Sequence, residues 1–285
     1  MSKLKIAVQK SGRLHDDSMQ MLKEVGISID NGKDQLKASA RNFPLEVFYL
    51  RNGDIPQYLK DGVVDAAIIG ENLLFEKAQE LPVIERLGFS KCKVSLAIPK
   101  SAEATSIKDL EGCRIATSYP NTVKHFLELN DVKAQLHIIS GSVEIAPSIG
   151  LADAICDIVS SGSTLFKNGL KEMETLLTSE AVLTTSPKIS SEHQEVLDKL
   201  RFRLQSVLRG RQNKYVLLNA PNDKLEAITA ILPGMNSPTI LPLAKEGWSS
   251  LHSVINKNDF WNVIDELKAS GAEGILVCPI ENMVL

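Results

Sequence analysis

Residues 160-SSGST-164 place four hydroxyl side chains and a glycine directly behind an apolar run, 150-GLADAICDIV-159, that carries Asp153 and Asp157. Two uses suit such a stretch. Ser and Thr hydroxyls cap helix N-termini. The same hydroxyls, joined by backbone N–H groups that Gly162 lets a ligand approach closely, cradle an anion such as a phosphate. If residues 153–159 form a strand, period-two alternation puts Asp153 and Asp157 on one face, suited to a neighbouring sugar's hydroxyls or a metal. The residues alone leave cap and cradle both open. Cations stand elsewhere at strand ends. Lys10 and Arg13 follow the first apolar run in 9-QKSGR-13, where Ser11 and Gly12 turn toward a helix, and Arg51 closes 45-LEVFYL-50. Such positions suit pyrophosphate or triphosphate charge. Glu71 and Asn72 follow 62-GVVDAAIIG-70; a nucleotide or magnesium contact fits them, and so does a simple helix cap by Asn72.

These residues need elements to hold them. Short β-like runs alternate with helical patterns along most of the 285 residues, which predicts an α/β architecture. The runs are LKIAVQ, LEVFYL, GVVDAAIIG, KVSLAIP, CRIATS, AQLHII and DAICDIVS. Two of them echo each other. 62-GVVDAAIIGENLL-74 and 150-GLADAICDIVSSGSTL-165 both open G-x-x-D-A, enter an apolar strand and end in a turn before a helix. The echo predicts two similar lobes facing across a cleft, with ligands beyond the carboxyl ends of the strands. A long amphipathic helix over 192–208 then leads to 209-RGRQNK-214, a Gly-containing basic breaker and an expected domain boundary. The remaining order, βαββαβ, is the ferredoxin-like pattern.

Composition narrows the function classes. The formal net charge is −3 with 24% charged residues, so there is no basic excess of the kind nucleic-acid binding uses. No apolar run approaches the ~20 residues that span a bilayer, and MSKLKIAVQK lacks a signal peptide's apolar region. A soluble, cytoplasmic protein is expected, with neither nucleic acid nor membrane as partner. Four scattered cysteines and five scattered histidines form no metal-ligand spacing.

Glu144, Gly150, Ala152, Ile155, Asp157, Ile158, Ser161, Gly162, Thr164 and Leu165 together resemble the signature of the ATP phosphoribosyltransferase family, the first enzymes of histidine biosynthesis. QKSGRL, GVVDAAIIGEN, RIATSYPN and LPGMNSPTILPL carry the resemblance along the whole chain, and the C-terminal segment resembles the family's long form. The resemblance implies two periplasmic-binding-protein-like (type II) lobes forming a catalytic cleft. Lobe one would comprise 1–93 plus 181–210 and lobe two 94–180, followed by a C-terminal ferredoxin-like regulatory domain over 211–285. It implies transfer of the phosphoribosyl group of phosphoribosyl pyrophosphate to an adenine ring nitrogen of ATP, with Mg²⁺ held mainly by substrate phosphates. Ser160, Ser161, Gly162, Ser163 and Thr164 would grip the 5-phosphate, and Asp157 and Asp153 would face the ribose. ATP would fall to Lys10, Gly12, Arg13, Arg51, Glu71 and Asn72. Histidine, as inhibitor, would meet Asn219, Met235, Ser237, Thr239, Val254 and Gly274. A homo-oligomer, dimer to hexamer, is implied. A two-lobed solute-binding protein and a regulatory subunit without catalysis are the alternatives.

Overall fold

The computed structural model describes residues 2–30, 36–77, 80–160, 162–232 and 238–285. Three sheets organise them. The first is built from β1 (Leu4–Gln9), β2 (Lys37–Ser39), β3 (Leu45–Leu50), β4 (Ala66–Gly70), β5 (Val83–Arg86) and the late strand β11 (Ala181–Thr185), in the order β2-β3-β1-β4-β11-β5. The second contains β6 (Cys92–Pro99), β7 (Arg114–Thr117), β8 (Gln135–Ile138), β9 (Ala154–Val159) and β10 (Leu170–Ser179), ordered β10-β6-β9-β7-β8.

The two sheets repeat one plan. Each has a parallel trio, β3-β1-β4 and β8-β7-β9. Each trio then takes an antiparallel strand beside its last member, β11 against β4 and β6 against β9. Those two strands arrive from the other lobe, so the chain crosses twice, between Arg86 and Cys92 and between Ser179 and Ala181. This is the periplasmic-binding-protein-like arrangement. The trio strands are apolar on both faces: Ala66, Ala67, Ile68 and Ile69 are all fully buried, as strands covered on both sides must be.

Helices α1 (Arg13–Glu24), α2 (Ile55–Asp61) and α3 (Glu71–Glu76) accompany the first sheet, and α4 (Pro120–Leu129) and α5 (Ser163–Lys167) the second. Met21 and Leu22 of α1 are fully buried, giving the helix its apolar face.

The chain divides into two compact units, Met1–Asp198 and Lys199–Leu285. The long helix α6 (Ser191–Gln212) runs through that division and through Gly210. The expected breaker is therefore helical, and its glycine has a packing reason. A Cβ at Gly210 would stand 2.6 Å from the Ile280 carbonyl oxygen and 2.9 Å from that of Glu281. In the second unit β12 (Asn213–Pro221), α7 (Leu225–Ile231), β13 (Thr239–Pro242), β14 (Trp248–Asn256), α8 (Phe260–Ala269) and β15 (Glu273–Pro279) give the βαββαβ order, with sheet order β13-β14-β12-β15. Val216, Leu218, Leu251 and Ile255 pack with Ile228, Phe260 and Leu267 to form its core. Gly210→Ala is expected to lower the unfolding free energy by about 1–3 kcal/mol, the usual cost of overpacking, read as a lower urea midpoint at unchanged slope.

Candidate functional site

The echoed glycines and aspartates build the floor of each lobe. Gly62 and Gly150 both sit in the left-handed region, at φ 75° and 76°, which lets the chain turn sharply into β4 or β9. Asp65 then exchanges hydrogen bonds with Lys5 at the start of β1: the Asp65 N–H donates to the Lys5 carbonyl at 2.9 Å, and the Lys5 N–H donates to Asp65 Oδ2 at 2.7 Å. Asp153 repeats this with Arg114 at the start of β7, at 2.8 and 2.9 Å. The Arg114 guanidinium also clasps the Asp153 carboxylate, Nη2 to Oδ1 being 2.8 Å, and holds its pKa down at about 2.

The two aspartates expected to face the ribose sit in different surroundings. The strand begins at Ala154, so Asp153 marks its amino end and is consumed by Arg114. Asp157 lies near the carboxyl end, half-buried, where the Ile158 N–H donates to Oδ1 at 2.8 Å and the Ser118 hydroxyl at 3.3 Å. Burial raises its pKa, and the nearby Glu144 charge adds to that shift. Ser118 stands two residues before Pro120, where α4 begins, and serves the carboxylate.

Asp157 shares a small cavity of about 120 Å³ with Glu144, Ile155, Ser160, Gly162, Thr164 and Leu165. Gly162, at φ 70°, precedes α5. Among the described residues no hydrogen bond engages the Ser160 or Thr164 hydroxyl. Ser163 is exposed on the same turn, and Ser161 lies outside the described residues. Ser160 also lines a larger cavity of about 790 Å³ with Glu71, Phe75, Arg86, Lys91, Lys93 and Glu180 among its walls. The two lobes thus share a cleft in which the hydroxyl loop meets the end of β4.

The expected nucleotide residues separate into two groups. Lys10 and Arg51 follow directly on the paired strand ends Gln9 and Leu50, and the Lys10 N–H donates to the Leu50 carbonyl at 2.8 Å. Arg13 opens α1 behind Gly12 and reaches Asp17 at 3.9 Å with its side chain largely exposed. These four residues gather at the carboxyl ends of β1 and β3, beyond the walls of both cavities. Glu71 and Asn72 differ. Glu71 is held by Arg86, with Nη1 at 2.6 Å from Oε2. Asn72 is 5% exposed; it accepts from the Ser179 hydroxyl at 3.0 Å and donates to the Tyr119 hydroxyl at 3.3 Å. That side chain therefore has protein partners on both its oxygen and its nitrogen.

Glu144 lines the smaller cavity, while Glu76 and Tyr119 join α3 to the start of α4; none of the three was assigned a role from the sequence. Glu144 belongs to the signature and so was traceable. Glu76 and Tyr119 had no local signal, because their partners lie 45 and 47 residues away. Among the described residues no group of three His, Cys, Asp or Glu side chains converges to hold a metal ion, and no helix is long and apolar enough to cross a membrane.

In the second unit, Tyr215, Asn219, Ser250, His252 and Val254 alternate with the core residues and lie on the open sheet face. Thr239 pairs with His252. Gly274, at φ 56°, leaves room for Asn219, whose Nδ2 would lie 3.3 Å from a Cβ there. Asn219, Thr239, Val254 and Gly274 therefore belong to one sheet, though Val254 sits four residues from Ser250, the partner of Asn219. Met235 and Ser237 lie outside the described residues.

Comparison with known proteins gives a consistent result. A family model described as ATP phosphoribosyltransferase matches residues 51–206, and one described as HisG, C-terminal domain, matches 210–282. An ATP phosphoribosyltransferase of Cytophaga hutchinsonii is 53% identical over 99% of this chain and 98% of its own length. One of Parabacteroides distasonis is 55% identical over 99% and 100%. Among solved structures, an ATP phosphoribosyl transferase (HisG:HisZ) complex from Thermotoga maritima superposes with a TM-score of 0.61 at 28% identity, covering 71% of this chain and 96% of that one.

Burial makes ionised Asp157 costly to the fold. Its pKa is raised on folding, so the penalty is present at neutral pH and fades as pH falls through the folded value. Asp157→Asn is expected to melt at a higher temperature than the parent at pH 7, with the gap closing toward pH 4 in parallel thermal melts.

Proposed function

The chain belongs to the ATP phosphoribosyltransferase family of histidine biosynthesis, and from that premise we propose the division of labour in its cleft. The observation that carries the reading is the pocket at the carboxyl end of β9, where Asp157 shares the lining with Ser160, Gly162 and Thr164. In this reading the loop binds the 5-phosphate of phosphoribosyl pyrophosphate through hydroxyls and backbone N–H groups, with Ser161 and Ser163 as further donors. Asp157, held by Ser118, faces the ribose. ATP enters from the first lobe, its phosphates drawn to Lys10, Arg13 and Arg51, with Gly12 allowing close approach. Glu71 stands on the shared cavity wall.

The reaction joins an adenine ring nitrogen to the anomeric carbon while the bond from that carbon to the pyrophosphate oxygen breaks. The pyrophosphate leaves with the bonding electron pair. The ring nitrogen attacks with its own lone pair, so the chain's task is to align two polyanions and stabilise developing charge. Asp157 is placed to offset oxocarbenium charge on the ribose. Mg²⁺, when bound, neutralises phosphate charge. The residues suit an ion that keeps most of its ligands from phosphate and water, because Asp157 and Glu144 are a pair of carboxylates rather than a cage.

The same premise supports inhibition by histidine at the open face of the C-terminal sheet, with Asn219, Thr239, Val254 and Gly274 contributing and Met235 and Ser237 on the adjoining turn. It supports assembly into homo-oligomers and a cytoplasmic setting, where both substrates are made. Exposed apolar side chains on that sheet, such as Leu241 and Leu276, are suited to contact with another copy.

Three measurements test the reading. Incubation with ATP, phosphoribosyl pyrophosphate and Mg²⁺ should release pyrophosphate and form phosphoribosyl-ATP; binding of either substrate without turnover would defeat it. Thr164→Ala should raise KM for phosphoribosyl pyrophosphate about 10- to 100-fold, the cost of one hydrogen bond to a charged group, with a smaller effect on KM for ATP. Histidine should slow the parent enzyme and have little effect on Asn219→Ala in the same assay.

A further inference from the structure

Two crossings alone leave a pair of lobes free to hinge. A third connection lies between α3 and α4. Glu76, the last residue of α3 in the first lobe, is only 7% exposed. Its carboxylate accepts the N–H of Asn121 at 3.1 Å, the N–H of Thr122 at 3.0 Å and the Thr122 hydroxyl at 2.9 Å, and its own carbonyl accepts from Asn121 Nδ2 at 2.8 Å. These donors belong to the first turn of α4 in the second lobe. α4 has no capping side chain of its own, so a carboxylate from the other lobe supplies the cap its orphan N–H groups require. The Tyr119 hydroxyl adds a second connection, to Asn72. One residue earlier, Ser118 holds Asp157.

We propose that Glu76 is a positioning residue for the phosphoribosyl transfer. It caps α4 across the lobe boundary and so fixes the angle at which the Asp157 pocket faces the cationic strand ends of the first lobe. It touches no substrate. Its charge meets the positive end of a helix, and its burial excludes water from the joint. The hydroxyl loop and Asp157 both belong to the second lobe, so binding of phosphoribosyl pyrophosphate alone needs little from the joint. Transfer needs both lobes.

This inference rests on the cleft assignment above, and its test has one arm that does not. Hydrogen exchange, read without substrates, should show the Asn121 and Thr122 amides exchanging at least tenfold faster in Glu76→Ala, while the amides of β7 and β9 keep their protection. Kinetics should show turnover at least tenfold lower in Glu76→Ala, with the affinity for phosphoribosyl pyrophosphate, measured by calorimetry, within threefold of the parent. Glu76→Gln keeps one acceptor oxygen without the charge and should restore part of the turnover. It also carries both measurements if the alanine variant does not fold. Unchanged turnover alongside fast exchange would overturn the proposal, as would equal loss of turnover and affinity, which marks collapse of the second lobe. Unchanged exchange would overturn the capping role itself, whatever reaction the cleft performs.

Discussion

The crossing at Glu180 is the constraint on which the rest of the first unit depends. β10 ends at Ser179 in the second sheet and β11 begins at Ala181 in the first, with one residue between. So short a link brings several polar groups of the two lobes together. The Glu180 carbonyl accepts the N–H of Glu71, the Ser179 hydroxyl serves Asn72, and Arg86 from the other crossing reaches both Glu71 and Glu180. The larger cavity opens on these same residues. The joint that connects the lobes is also the wall of the cleft.

Within each lobe an aspartate does backbone work. Asp65 and Asp153 satisfy N–H groups at the amino ends of β1 and β7, where a parallel ladder begins and a donor would otherwise lack a partner. This frees the opposite, carboxyl ends of the strands for ligands. The chemical asymmetry arises there. After β4 the chain enters α3 with Glu71 held by Arg86; after β9 it makes a loop of hydroxyls beside a carboxylate that the fold makes costly to ionise. Functional sites commonly tolerate such a cost.

Much of this was legible. Hydrophobic runs located the trio strands, the G-x-x-D-A echo located the two lobes, and the C-terminal order located the third sheet. β10 was not, because two register irregularities, at 172/174 and 175/177, interrupt its alternation. Gly210 looked like a breaker, but it is required by the close approach of residues 280 and 281. The partners of Asp153 and Asn72 were not legible, because residue type does not reveal a partner 39 or 107 residues away.

By itself the sequence determined the fold class, the family and the hydroxyl loop with its preceding acid, since periodicity, turn chemistry and a contiguous signature are local properties. The tertiary structure decided which partners each acid meets and how the lobes are joined. Two aspartates four residues apart on one run differ only in what the neighbouring strand brings. Arg114 takes Asp153, while Ser118 and the hydroxyl loop stand beside Asp157. Glu76 acquires its role only when folding carries the start of α4 to it.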